Sequence, residues 1–165
     1  MTTTEQLDLT VTSLCRTVEA LKAEIEALRT EARYDKLTGL GNRRLLEERT
    51  EARGGHFVAI DLNGFKAAQD AHPEGHAHGD MILRDFARFL LEKAKAGDRV
   101  AARTGGDEFV VWCATYRGAL AVRTAIHAWS CAGVTASAGI GSTMVTADQR
   151  AYEAKKERKA ALASR

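Results

Sequence analysis

An unbroken 4-3 apolar repeat runs from residue 4 to residue 32 and restricts that stretch to one kind of structure. In heptad register Val11, Val18 and Ile25 fall at a, and Leu7, Leu14, Leu21 and Leu28 fall at d. Thr4 and Ala32 close the a series at its ends. β-Branched residues at a with Leu at d favour a parallel two-stranded coiled coil, so residues 4–32 are expected to join two copies of the chain. Glu24 at g and Arg29 at the following e are placed to pair across the strands. The competing reading is a single amphipathic helix packed on a domain, but a strict a/d seam is narrower than a core-facing helix needs. Thr10, Thr12, Ser13 and Thr17 weaken the first half. Cys15, at e, reads as a free thiol.

Residues 1–33 are therefore read as a dimerisation helix and residues 34–165 as a single globular domain. That domain is long enough to bury its own core. Of the whole chain 45% is apolar and 28% charged, with no apolar run long enough to span a membrane. The start, MTTTEQLDLT, lacks a basic end and an apolar stretch, so no secretory signal is expected. Cys15, Cys113 and Cys131 are too few and too scattered for a disulfide framework, and a cytoplasmic setting is expected. A formal charge of +2, from 24 basic and 22 acidic residues, gives no nucleic-acid surface.

Within the domain the patterns alternate. Residues 33–53 read as a helix with a Gly-containing approach, with Thr38 and Asn42 as caps or turn formers. HFVAIDL (56–62) is a buried strand ending in an acid. Residues 64–71 suit a short helix, and DAHPEGHAHGD (70–80), with the only proline, a loop. An amphipathic helix follows over 81–96, with Ile82, Phe86, Phe89 and Leu90 inward. Strands over 99–103 and 108–114, joined through Thr104-Gly105-Gly106-Asp107, read as a β-hairpin. A helix over 116–130, a strand over 133–140 and a Lys/Arg-rich helix over 147–163 complete the order. The expected fold is α+β, a sheet with helices packed on one face. Trp112 and Trp129 read as packing residues and Cys113 as a buried small hydrophobe.

Two acids carry the chemistry. Asp61 ends an apolar strand and Asp107 lies in the Gly-Gly turn. If those strands are neighbours, the carboxylates converge at one sheet edge. With a backbone carbonyl they form a hard oxygen site suited to Mg²⁺. Such an ion activates an attacking hydroxyl and holds a phosphate in line. Glycine at 105 and 106 permits close approach of a nucleotide. Lys66 opens the short helix after Asp61, a setting that favours phosphate. The plainer readings are an acid in an ordinary turn and a solvated lysine.

Six segments, in order, resemble a known family: YDKLTGLGNRR (34–44), DLNGFK (61–66), GHAHGD (75–80), ARTGGDEF (102–109), SAGIG (137–141) and AYEAK (151–155). They are similar to the motifs of the GGDEF-domain diguanylate cyclases. The resemblance implies a palm-like sheet, as in polymerases and adenylyl cyclases, with the GGDEF hairpin at its centre. It implies condensation of two GTP into cyclic di-GMP with release of two pyrophosphate, each subunit of a dimer presenting one GTP to the other. It places two Mg²⁺ per site, with Mn²⁺ as a substitute, on Asp61, Asp107 and the Leu62 carbonyl. Glu108 would assist at the ribose 3′-hydroxyl. Gly105 and Gly106 would lie against the nucleotide. Asn63, Gly64 and Phe65 would offer N–H groups to the β- and γ-phosphates, and Lys66 and Lys155 would bind the triphosphate. Lys159 has the spacing of the family's second cation, with Arg158 one residue early. Asp80 would hydrogen-bond guanine.

Four departures bear on these expectations. Gln69 stands where the family has an Asn that helps recognise guanine, so ATP or a mixed pair is an alternative substrate. The stretch from Gln69 to the GHxxGD motif is two residues longer, near Pro73-Glu74. It gathers His72, His76 and His78, for which Zn²⁺ is a weaker alternative lacking a fourth ligand. Ala96 and Arg99 occupy the positions of the RxxD product-inhibition motif, and Asp98 is one place out of register. The region after GGDEF is short: the hairpin before SAGIG is expected to be missing, with most of the segment before the last helix. A third functional reading is an inactive nucleotide-binding module that signals through the coil, to which a sensor protein would couple.

Overall fold

A computed structural model describes residues 3–163. It divides between Arg33 and Tyr34 into two units. The first is one helix, α1 (Thr3–Arg33). Val11, Leu14, Val18, Leu21, Ile25 and Leu28 are each about half exposed on it, so this unit buries its apolar seam against nothing of its own. Thr4 and Leu7 lie outside the residues whose side chains are described. Arg29 pairs with Glu26 on the same helix at 2.7 Å, and Lys22 with Glu19 at 3.0 Å.

In the second unit the expected helix over 33–53 is interrupted. The Asp35 carboxylate accepts from Thr38 N–H at 2.9 Å and Thr38 Oγ1 at 2.6 Å, closing a turn. Gly39 takes φ +69°, a left-handed value that glycine alone adopts freely. The chain then forms a short strand, β1 (Gly41–Asn42), before helix α2 (Arg43–Thr50). The Asn42 side chain caps α2 by accepting from Leu45 N–H at 3.0 Å.

The remaining elements are β2 (His56–Asn63), α3 (Phe65–Ala71), α4 (His76–Ala94), β3 (Arg99–Arg103), β4 (Glu108–Cys113), α5 (Tyr116–His127), β5 (Ser130–Cys131), β6 (Val134–Gly141) and α6 (Met144–Ala163). The stretch expected to be a loop to residue 80 winds into α4 from His76 onward. The helix expected to reach Ser130 stops at His127. Ala132 and Gly133, at φ +50° and +78°, form a two-residue turn between β5 and β6. A hairpin thus does precede SAGIG, cut to two residues in its first strand.

The six strands lie in the order β1-β3-β4-β2-β6-β5, antiparallel except for β1 with β3. Helices cover both faces, not the one face expected. Val58, Ile60 and Leu62 of β2, with Phe109 and Val111 of β4, pack against Ile82, Phe86 and Leu90 of α4 and Val122 and Ile126 of α5. Phe86 meets Phe109 edge-on at 4.9 Å and Trp129 at 4.6 Å between centroids. On the other face Val110 and Trp112 meet Leu46 of α2, and Ala59 meets Ala147 and Ala151 of α6. The physical reason is in EFVVWC: every residue of β4 after Glu108 is buried, and a continuous apolar run needs cover on both sides.

Helix α6 lies directly on β6. A Cβ on Gly139 would come within 2.2 Å of the Ala151 nitrogen, and one on Gly141 within 2.4 Å of the Ala147 nitrogen. The glycines of SAGIG are therefore the floor on which α6 rests. No described helix is long and apolar enough to cross a membrane.

Candidate active site

The strand register brings the acids together. Asp61 of β2 stands opposite Glu108 of β4 on one side and Ser137 of β6 on the other. Leu62 N–H donates to the Asp107 carbonyl at 3.3 Å, tying the last turns of β2 to the β3–β4 loop. Asp61, Glu108 and Lys155 line one cleft of about 360 Å³, together with Arg43, Thr104, Asp148 and Tyr152.

The loop between β3 and β4 is built from within. Thr104 N–H donates to the Glu108 carbonyl at 3.0 Å. Arg103 donates to the Gly106 carbonyl from Nε at 3.1 Å and from Nη2 at 2.7 Å. Its Nη1 reaches Asp35 Oδ1 at 3.1 Å, so one guanidinium joins the GGDEF loop to the DKLTG turn. Burial raises the Asp35 pKa, but hydrogen bonds from Thr38 and Arg103 outweigh it and hold the carboxyl below its ordinary value. The two glycines differ in role. A Cβ on Gly105 would lie 2.5 Å from Glu108 Oε2, so Gly105 lets Glu108 fold back over the loop. A Cβ on Gly106 would meet nothing, which leaves open space on that side.

Lys155 Nζ lies 2.5 Å from Asp61 Oδ1. An ammonium on this carboxylate marks the place as one that attracts a cation. The cleft holds the Asp61 and Glu108 carboxylates, hard ligands of the kind Mg²⁺ takes, whereas Asp107 and Leu62, expected beside them, do not line it and meet each other through the backbone. Among the described residues, no three His, Cys, Asp or Glu side chains stand close enough to enclose an ion by themselves. Mg²⁺ retains several waters and phosphate oxygens, so a partial protein shell fits it.

The other candidates stand apart from this cleft. Gly64, at φ +79°, turns the chain from β2 into α3, where Phe65 and Lys66 form the first turn. Asn63 spends its side chain on β6: its Oδ1 accepts from Ser137 Oγ at 3.0 Å, which leaves only its backbone for a ligand. Lys66 and Lys159 are exposed. Lys159 lies four residues after Lys155, on the same side of α6. Arg158 instead lines a hollow with His127 and Ala136.

Gln69 and Asp80 sit on α3 and the start of α4. Gln69 Nε2 is 2.8 Å from His76 Nδ1, and a Cβ on Gly79 would meet that same amide at 2.9 Å. The longer side chain is thus seated against Gly79 and fixed by His76. Asp80 faces Arg84 at 3.9 Å. His72 and His78 stack face to face at 4.0 Å, apart from His76. Arg99 turns inward to donate to the Lys93 carbonyl at 2.5 Å, and Asp98 pairs with Arg53.

Three participants had no role assigned from sequence: Asp35, Arg43 and Asp148. Burial pushes the Asp148 carboxyl up, and Arg43 opposes it. Asp35 and Arg43 lie in YDKLTGLGNRR, whereas Asp148 lies outside all six segments and carries no sequence signal of its own.

A central antiparallel strand pair carrying carboxylates at its end, with a cationic helix laid across, defines a palm-like domain of the nucleotidyl cyclase and polymerase kind. The chain belongs to the family described as diguanylate cyclase, GGDEF domain, whose model matches residues 32–161. It is 40% identical over 116 residues, 65% of this chain, to an uncharacterized signaling protein of Caulobacter vibrioides, and that stretch is 14% of the relative. It is 34% identical over 97 residues, 53% of this chain, to the diguanylate cyclase DgcS of Shewanella oneidensis, 32% of the relative. The chain therefore spans less than a third of either. In fold it matches the coiled coil and GGDEF domain of DgcB from Caulobacter crescentus, solved in complex with c-di-GMP. The TM-score is 0.72 at 24% identity, over 92% of this chain and 95% of that one.

Proposed function

We propose that the protein is a diguanylate cyclase that condenses two GTP into cyclic di-GMP and two pyrophosphate across a homodimer. The observation that carries this is the register of Asp61 with Glu108 beside the Asp107 turn, with Lys155 reaching the same carboxylate. Residues 1–33 serve as the dimerisation helix and 34–165 as the GGDEF domain. The half-exposed seam of α1 supports the first assignment, because a parallel partner would cover it.

In this reading Asp61, Asp107 and the Leu62 carbonyl would hold Mg²⁺, which when bound would neutralise phosphate charge and lower the pKa of the attacking hydroxyl. Lys155 leaves Asp61 for the triphosphate when nucleotide enters, joined by Lys66 and Lys159. Backbone N–H groups of Asn63, Gly64 and Phe65 receive the terminal phosphates. Gly106 leaves room for the nucleotide beside the loop. Glu108 assists at the ribose 3′-hydroxyl, a role its position opposite Asp61 supports. Each 3′-oxygen bonds to the α-phosphorus of the opposite GTP as the bond to the β-phosphate breaks. Two such steps close the ring. One protomer holds one nucleotide, so the coil supplies the second half-site at high effective concentration.

Gln69 favours a second reading of base choice. Fixed by His76, its amide presents a different reach from an Asn, and guanine need not be the only base read. The deciding experiment is incubation with Mg²⁺ and GTP, ATP or both, followed by mass spectrometry. Cyclic di-GMP from GTP alone is the expected result. An adenine-containing product transfers the reading to the altered base code. No product from folded dimer overturns the enzyme and leaves a nucleotide-binding module.

A further inference from the structure

Two cations line the cleft that holds Asp61 and Glu108, and they come from different helices. Lys155, from α6, is spent on Asp61 at 2.5 Å. Arg43, the first residue of α2, makes no ion pair and no side-chain hydrogen bond among the described residues. Its neighbour Arg44 shows the ordinary fate of a helical arginine, pairing at 3.0 Å with Glu48 one turn further on. An acid does stand near Arg43. Asp148 lines the same cleft, and the Arg43 charge is felt at its carboxyl, yet the two do not close to an ion pair.

The backbone fixes where the Arg43 side chain begins. β1 runs parallel to β3, with Gly41 beside Ala102 and Asn42 beside Arg103. One residue further along each chain stand Arg43 and Thr104, and both line the cleft. Gly41 has no slack: a Cβ there would lie 2.8 Å from Leu45 Cδ2 and 3.2 Å from the Ala101 carbonyl oxygen. The Asn42 cap on Leu45 N–H then sets the first turn of α2. Arg43 is thus planted beside the strand that leads into the GGDEF loop, and its charge is delivered to the cleft from a rigid base.

We propose that Arg43 is a phosphate-binding residue of the nucleotide site, taking oxygens of the triphosphate that enters the cleft beside Asp61 and Glu108. Charge argues for it. The cleft holds three acids, Asp61, Glu108 and Asp148, against Arg43 and Lys155. An entering phosphate is repelled by all three, so it needs each cation the walls can offer. Lys155 must first give up Asp61, whereas Arg43 has no ion pair to break. A planar guanidinium also offers paired donors that match two phosphate oxygens at once. The inference rests on the proposed reading of the cleft as a GTP site and adds a residue to it.

The test is equilibrium binding, to the full chain with Mg²⁺, of a GTP analogue carrying a methylene group between its α- and β-phosphorus atoms, where the reaction cannot cleave it. Arg43→Gln should bind the analogue at least about tenfold more weakly, the loss of a charge-assisted contact. Arg43→Lys, which keeps the charge and loses the fork, should fall between. Binding by Arg43→Gln should also depend less on salt than binding by the unmodified protein, because one screened attraction is gone; a merely structural loss leaves the salt dependence as it was. Melting temperatures of both variants should match the unmodified protein, since Arg43 has no ion pair to lose. Equal affinity of Arg43→Gln and the unmodified protein, or an unchanged salt dependence, overturns the proposal and leaves the GTP site standing. No binding by any of the three folded proteins overturns the GTP reading itself, and this inference with it.

Discussion

Arg103 and Asp35 make the contact on which the geometry of the GGDEF loop most depends. Asp35 is 68 residues away in sequence and holds the guanidinium that holds Gly106. Its carboxyl titrates below the ordinary value of 3.8. A depressed folded pKa gives stability that is full above the unfolded value and is lost as pH falls through the folded one. Urea midpoints measured from pH 5 down to pH 2 should therefore fall, and Asp35→Asn should flatten that fall. An unchanged pH slope in the variant would place the effect on other carboxylates. Asp107→Ala is expected to abolish cyclic dinucleotide formation while leaving the circular dichroism and melting profile in place; unchanged turnover would move the site elsewhere. The inward turn of Arg99 and the Asp98–Arg53 pair leave no RxxD surface, so added product should not slow the initial rate. A rate that falls with added cyclic di-GMP would point to a different inhibitory surface.

At the scale of elements, α6 and β6 depend on each other. Lys155 reaches Asp61 only because Gly139 and Gly141 let the helix settle on the strand. Gly139→Ala should lift α6, cost about 1–3 kcal/mol by overpacking, and weaken nucleotide binding through displaced Lys155. Chemical denaturation and a nucleotide titration read the two effects separately. Element order was legible in the sequence because the apolar periods switch cleanly between strand and helix. Their ends were less so. The break at Asp35–Gly39 comes from a side-chain turn that no periodicity reports. The early start of α4 hides in GHAHGD, whose small and polar residues read as loop until Gly79 packs against α3. EFVVWC reads as a strand from its composition, and its continuous apolar run is the local sign of helices on both faces.

For the whole molecule, the exposed seam of α1 carries the expectation of a dimer. Removing residues 1–32 should lower activity steeply and make it depend on protein concentration, measured as specific activity across a dilution series. Full activity in dilute truncated protein would show that the domain pairs without the coil. Such pairing would have to come from the globular unit, whose own surface then replaces the coil in bringing two nucleotides together.

The sequence by itself determined the heptad repeat of α1, the strand that carries Asp61 near its end and the hairpin that presents Asp107 and Glu108. Each follows from local spacing, which a chain carries whatever its surroundings. Only the tertiary structure decided that Asp61 stands opposite Glu108, that Lys155 rather than Lys66 reaches it, and that Arg103 is shared with Asp35. Those outcomes depend on strand order and on which helix rests on which face. Both are settled by burying apolar surface across the whole domain, with contacts between residues far apart in the chain.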